Sequence, residues 1–454
     1  MKRKEVLNSY LKLLLFLLPM FAFCACSGSS GIEDVAEEVE ENIEDGNSDD
    51  HKDDTTDKDR IEGVLYPDEL VAQMGKGFDV AWSEFNKYIQ NHSEQKVIDI
   101  AGAGFTMVRI RVNKPATEDL FSHLDEHINQ CLKHGLIPVL AFHGHDAEEG
   151  EDMEQAKQAT VDWWRTVAER YKDYSELLVF NLFVELNGNL KKDHQLLNEF
   201  YADIIPAIRE SNPYRIIIVP PIGLSKPANL QYIQLPDESD PFVMMEWHCY
   251  AAGPALEGNK RWTTGTPEER QLVLDHFQSA AEYMEQTGRS TWFGAWMAGN
   301  YNKGNEYDIP AQVQFATFFV RELAKIGVPW CVNTDDKYYD YLNLKWYPEG
   351  EYGGIPVRDV ILDTEKVALY SGEGYQGESL RLSPGEYDQA ELQALNFDNK
   401  ISSLMVPWGF KVIAYTGKGF AGTANEYTRT TRSFSSEMKN TISSLKVIDL
   451  ETYD

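Results

Sequence analysis

The chain has 454 residues, and its 42 basic and 73 acidic side chains leave a formal net charge of -31. That sign excludes nucleic acid as a partner, because binding a phosphate backbone needs clustered Lys and Arg. With 43% hydrophobic residues the chain can bury one large core, or a large core and a smaller one.

Lys2-Arg3-Lys4 precedes a mostly apolar run from Leu11 to Phe23. A basic start followed by an apolar run shorter than the ~20 residues of a spanning helix reads as a secretory signal. The run ends in Phe23-Cys24-Ala25-Cys26-Ser27, which resembles a bacterial lipoprotein signal. The resemblance implies a leader over residues 1–25, a lipid on Cys26, and a secreted, lipid-anchored address on the bacterial outer membrane at the cell surface; the departure is Cys24, which stands where Ala or Gly is more usual.

 The membrane is then a partner through the lipid alone. Residues 26–65 read as a spacer: residues 31–60 hold 14 acidic and 3 basic side chains, and Glu33 to Asp59 has almost no bulky apolar content. Like-charge repulsion without a core predicts disorder there. Of the other cysteines, Cys131, Cys249 and Cys331 are too far apart for a zinc signature and odd in number, so they are expected as small buried hydrophobes.

From residue 66 to 353, short Val/Ile/Leu-rich runs alternate with amphipathic stretches. The runs are Thr106–Val112, Leu136–Phe142, Leu177–Phe183, Arg215–Val219, Phe242–His248, Ser290–Ala295 and Gly327–Val332, with an earlier one near Gly77–Val80. Helical patterns such as Leu124–His134, Ala156–Tyr171 and Thr266–Gln286 separate them. Strands joined by right-handed crossover helices make a parallel sheet, and this rhythm predicts an α/β fold, a (β/α)₈ TIM barrel. An open α/β sheet is the rival, weakened by the lack of a Gly-rich phosphate loop after the first strand.

Several segments then occur in a telling order: Val108-Arg109-Ile110, Leu136–His143, Leu177–Glu185 and His248-Cys249-Tyr250. In these segments the region resembles the cellulase-like glycoside hydrolase family 5. The resemblance implies a polysaccharide or oligosaccharide ligand of β-glucan or mannan type, and no cofactor for the barrel. It assigns Glu185 as the acid/base, Arg109 as its brace, and His143, His248 and Tyr250 to the substrate side. Cleaving a glycosidic bond needs a second carboxylate, ~5–5.5 Å away for retention or ~6.5–9.5 Å for inversion. The chain departs from the family at that point. Thr291-Trp292-Phe293-Gly294-Ala295-Trp296 puts Ala295 at the nucleophile position, Val184 replaces the Asn before the acid/base, and Asn333 stands where the family carries a sugar-stacking Trp. Trp296 is assigned as a stacking face and Asn333 as a cleft residue. Glu246 is expected as a buried brace for Arg109 or another polar group; Asp146, Glu148 and Glu149 are read as a solvated acidic loop, and Glu306, on the loop after the seventh strand, has nothing to support it as a nucleophile. The pair His143 and His145 is read as hydrogen-bonding sugar rather than holding a metal. Two readings stay open: a hydrolase of divergent mechanism, and a non-catalytic relative that holds polysaccharide.

Residues 356–450 change character, with Tyr, Ser, Gly and short alternating runs that predict an all-β domain. Tyr370, Tyr375 and Gly377 recur as Tyr415, Phe420 and Gly422, and Ile401-Ser402-Ser403-Leu404 recurs as Ile442-Ser443-Ser444-Leu445. Two copies of one small β unit should pack on each other. The repeat resembles the βγ-crystallin Greek-key fold. That resemblance implies a Ca²⁺ site on Asp398, Asn399, Ser402 and Ser403, and a poorer one in the second copy, where Lys439 replaces the first oxygen ligand. The alternative is that the Ser-Ser pairs cap turns.

Overall fold

The apolar runs fold as strands because both of their faces are covered, which favours continuous Val/Ile/Leu stretches in a parallel sheet. They are β1 (Lys76–Ser83), β2 (Met107–Val112), β3 (Ile137–Phe142), β4 (Val179–Asn181), β5 (Ile217–Val219), β6 (Val243–His248), β7 (Thr291–Trp296) and β8 (Trp330–Val332). These eight close into a barrel of parallel neighbours, with Gly77 of β1 in register with Cys331 of β8. The computed structural model describes residues 60–144, 147, 149–249, 262–298, 308–333, 338–348 and 354–452. The leader, Cys26 and nearly all of the acidic spacer lie outside those residues. Leu65–Asp454 forms one compact unit. Among the described residues, no helix is long and apolar enough to cross a membrane.

The crossover helices begin where side chains satisfy the free N–H groups of the first turn. Asp152 caps the helix Met153–Tyr171, Asp193 the helix His194–Arg209, and Asp308 the helix Ile309–Lys325. Thr266 and Glu269 form a reciprocal capping box at the start of Pro267–Thr287. Cys131, Cys249 and Cys331 are buried.

After the barrel come a small hairpin, β9 (Tyr339–Asp340) with β10 (Lys345–Trp346), and the helix Gly354–Leu362. Seven strands follow: β11 (Val367–Tyr370), β12 (Ser379–Leu382), β13 (Gly385–Tyr387), β14 (Ser403–Met405), β15 (Phe410–Tyr415), β16 (Ala424–Tyr427) and β17 (Ser444–Asp449). They form one sheet ordered β12-β11-β14 and another ordered β13-β17-β15-β16. The first copy thus lends β13 to the second copy's sheet, while Thr431 of the second copy bridges Leu404 of the first. The duplication is geometric as well as sequential. Tyr370 meets Tyr375 edge-on with centroids 6.0 Å apart, and Tyr415 meets Phe420 at 5.8 Å. Gly377 and Gly422 both take φ +83, where a side chain would also strike Ser371 or Thr416.

Candidate functional site

Strand alternation sends one set of side chains into the barrel, and here several of them are charged. Asp79 of β1 lies in register with Arg109 of β2, and both are fully buried. A buried charge needs a partner, and each of these has one. Arg109 binds Asp79 through Nε, and its Nη1 lies 2.8 Å from Glu246 Oε1 on β6. The guanidinium also sits 5.5 Å from the ring centre of Trp292 on β7. Arg111 Nε lies 3.2 Å from Asp79 and 3.1 Å from Glu84, and Glu84 reaches His143 Nε2 at 3.0 Å.

Glu246 is the hub of this network. Its Oε2 accepts from Asn181 Nδ2 of β4 at 2.6 Å, and its Oε1 lies 2.6 Å from His248 Nε2. The other nitrogen of His248 lies 3.1 Å from Glu185 Oε2. Glu185 follows β4 at the C-terminal end of the barrel, the face on which such barrels carry their sites. Its side chain is 26% exposed, against 0% for Glu246 and 2% for His248. Burial alone would strip the proton from His248, but the charge of Glu246 and hydrogen bonds to both glutamates raise its pKa above the ordinary value. Burial also pushes the Glu185 carboxyl up. The hydrogen bond and charge of His248, helped by Arg109, outweigh that and hold it below the usual carboxylate range.

The barrel therefore gathers Arg109, His143, Glu185 and His248 into one polar cluster, and Glu246 does brace Arg109. Trp296 is a correction: it faces away from the cleft, fully buried and stacked on Phe319 with centroids 5.5 Å apart. The reason is a bulge in β7. Trp247 pairs with Phe293 and His248 with Ala295, so Gly294 is an extra residue that shifts the alternation after it. Trp292 is the tryptophan of β7 that points inward. Ala295 is fully buried beside His248, and a Cβ on Gly294 would lie 1.9 Å from Glu246 Oε1. Asn333 is buried at the end of β8, its N–H donating to Trp296 O at 2.8 Å and its Oδ1 without a partner among the described residues. Glu149 is exposed. Tyr250, His145, Asp146, Glu148 and Glu306 lie outside the described residues. Asp79, Glu84, Arg111 and Asn181 belong to the network without being singled out by the sequence reading. The available signal was a polar residue at an inward position of an otherwise apolar strand.

The C-terminal motif needs a second correction. Asp398, Asn399, Ser402 and Ser403 do not converge on one point, because adjacent serines at the start of a strand point to opposite sides. Ser443 of the second copy bonds Asp398 at 2.8 Å and Asn399 at 3.2 Å, while Ser402 bonds Asn440 at 2.8 Å. Ser403 instead staples a turn, donating to Gly372 O at 2.7 Å and accepting from Tyr375 N at 3.1 Å. The oxygen clusters are crossed between copies. Among the described residues, no group of three His, Cys, Asp or Glu side chains is placed to hold a metal ion.

The profile of the cellulase family, glycosyl hydrolase family 5, matches residues 72–335. Endoglucanase H of Acetivibrio thermocellus is 26% identical over 250 residues, which cover 50% of this chain and 26% of that protein. The chain thus spans about a quarter of that relative's length. The structure of endoglucanase Cel5A from the hyperthermophilic Thermotoga maritima aligns with a TM-score of 0.55 and 25% identity, covering 62% of this chain and 97% of that one. Development-specific protein S of Myxococcus xanthus is 36% identical over 85 residues, 18% of this chain and 49% of that protein.

Proposed function

The chain belongs to the cellulase family, glycosyl hydrolase family 5, and from that premise we propose that it binds a β-glucan-type polysaccharide without cleaving it by the family's retaining reaction. One observation carries the reading: among the described residues, the network around Glu185 offers no second usable carboxylate. The described carboxylates linked to it through His248, Arg109 and Arg111, namely Asp79, Glu84 and Glu246, are 6% exposed or less and already paired. At the position beside His248 on β7 the side chain is a methyl group, that of Ala295. A retaining reaction needs a nucleophile ~5–5.5 Å from the acid. It also needs that acid to carry a proton near the working pH, and the His248 contact opposes this. An ionised Glu185 is instead well suited to accept hydrogen bonds from sugar hydroxyls.

Location and metal belong to the same proposal. Cys26 supports a lipid anchor on the outer membrane, and the acidic residues after it support a spacer between membrane and barrel. Asp398, Asn399 and Ser443 supply side-chain oxygens for a Ca²⁺ ion, to be completed by carbonyls or water because calcium takes six to eight ligands. The deciding experiment compares the wild type with Glu185→Gln over β-glucans, mannans and xylans, recording released sugar and binding together. Binding without product in either protein is the expected result. Product released by the wild type and lost in the variant overturns it in favour of a divergent hydrolase.

A further inference from the structure

His248 has a carboxylate on each ring nitrogen, Glu246 at 2.6 Å and Glu185 at 3.1 Å. An ionised carboxylate only accepts hydrogen bonds, so a ring that serves two of them must donate from both nitrogens, and only the imidazolium can. Arg109 and Asn181 also donate to Glu246, so its oxygens serve as acceptors throughout. We propose that Glu246 is a positioning residue: it locks His248 as an imidazolium, which in turn fixes Glu185 as an anionic acceptor for sugar hydroxyls.

This deepens the glycan-binding reading and rests on it for the ligand, but not for the protonation state. Among the described residues, the charges facing His248 come from four strands or their ends. Glu246 lies on its own strand, Glu185 after β4, Arg109 on β2, and Asp79 on β1 behind Arg109. Tyr201, from the helix His194–Arg209, lies within electrostatic reach of Glu246. The balance is two carboxylates against one imidazolium and one guanidinium, with Asp79 as the second counter-ion of Arg109. Removing the Glu246 charge takes away one of the two carboxylates that hold the proton on His248.

The test is a nitrogen-15 NMR titration of His248 in the folded chain without sugar, for wild type and Glu246→Gln. In the wild type both ring nitrogens should stay protonated between about pH 5 and 8, the range in which an unperturbed histidine changes charge. In the variant the ring should lose a proton within that range. A wild-type ring that is neutral at pH 7, with the proton on Glu185, overturns the proposal, and this measurement needs no variant to fold. Affinity for a soluble β-glucan oligosaccharide is followed over the same pH range. A flat wild-type profile and an inflected Glu246→Gln profile are expected, and equal profiles overturn the link between the lock and the sugar. Failure of the wild type to bind any glycan sinks the functional reading and leaves the titration result intact.

Discussion

His127 and His92 pack ring on ring with centroids 3.8 Å apart, and both also meet Trp82 of β1. His127 Nδ1 is 2.8 Å from Ser83 Oγ, and His92 Nε2 is 2.7 Å from Gln130 Oε1. Burial holds His127 well below its ordinary pKa and lowers His92 as well, with Lys96 pushing both the same way. The unfolded chain takes up these protons near pH ~6.5 and the folded chain does not. Their contribution to stability is therefore complete above that pH and is lost as pH falls. The urea midpoint should drop between about pH 8 and 5, and His127→Gln should reduce that drop. Equal drops in the two proteins would assign the effect elsewhere. Nothing in the sequence marks this pair, since residues 92 and 127 lie on different segments that meet only in the fold. The site residues are more legible. Arg109, His143, Glu185 and His248 follow from their order along the chain, whereas Asp79, Glu84 and Asn181 become meaningful only when the barrel closes around Arg109 and Glu246.

At the level of elements, β7 decides what the barrel can do. All eight strands are legible as apolar runs because a covered parallel strand needs little else. The bulge at Gly294 is not legible, because a pairing offset between neighbours leaves no compositional trace. It turns Trp296 outward, and the bare Cα of Gly294 leaves the room that the Glu246 carboxylate occupies. Gly294→Ala should therefore cost about 1–3 kcal/mol in chemical denaturation, the usual range for overpacking. Combined with Glu246→Ala, the same substitution should cost much less than the sum of the two, because the clash has gone. Additive losses would show that Gly294 and Glu246 do not compete for space. The same crowding bears on Ala295→Glu. A new carboxylate there would meet an Arg109 already committed to Asp79 and Glu246, so it should not by itself give product from β-glucan in a reducing-sugar assay. Measurable turnover in that variant would refute the argument.

Across the whole molecule, the β domain is joined to the barrel by groups that a linker-joined module would leave exposed. Trp408 packs on Trp262 and Phe318, and its backbone N–H donates to Thr317 Oγ1 at 2.7 Å. Gln314 Nε2 reaches Val406 O at 2.9 Å. The sequence announces two domains through the change in composition after Pro356, but not this seam, whose residues look like ordinary core and helix surface. Arg321, on the helix Ile309–Lys325, sits at its centre. Its Nη2 lies 3.1 Å from Asp449 of β17, both side chains are 7% exposed, and the guanidinium covers the ring of Phe410 at 4.8 Å. Glu365 and Glu451 add weaker, more exposed contacts. Removing one member of a buried pair leaves the other charged and uncompensated, which costs about 3–5 kcal/mol. Arg321→Ala should lose an amount of that order. Because Asp449 belongs to the β domain and Arg321 to the barrel, the loss should also separate their unfolding, giving two transitions in calorimetry where the wild type gives one. Arg321→Ala combined with Asp449→Ala should recover part of the stability, since the buried carboxylate that faced the guanidinium is removed with it. A single transition at an unchanged temperature in Arg321→Ala would mean that the apolar contacts of Trp408 hold the two domains together without the ion pair.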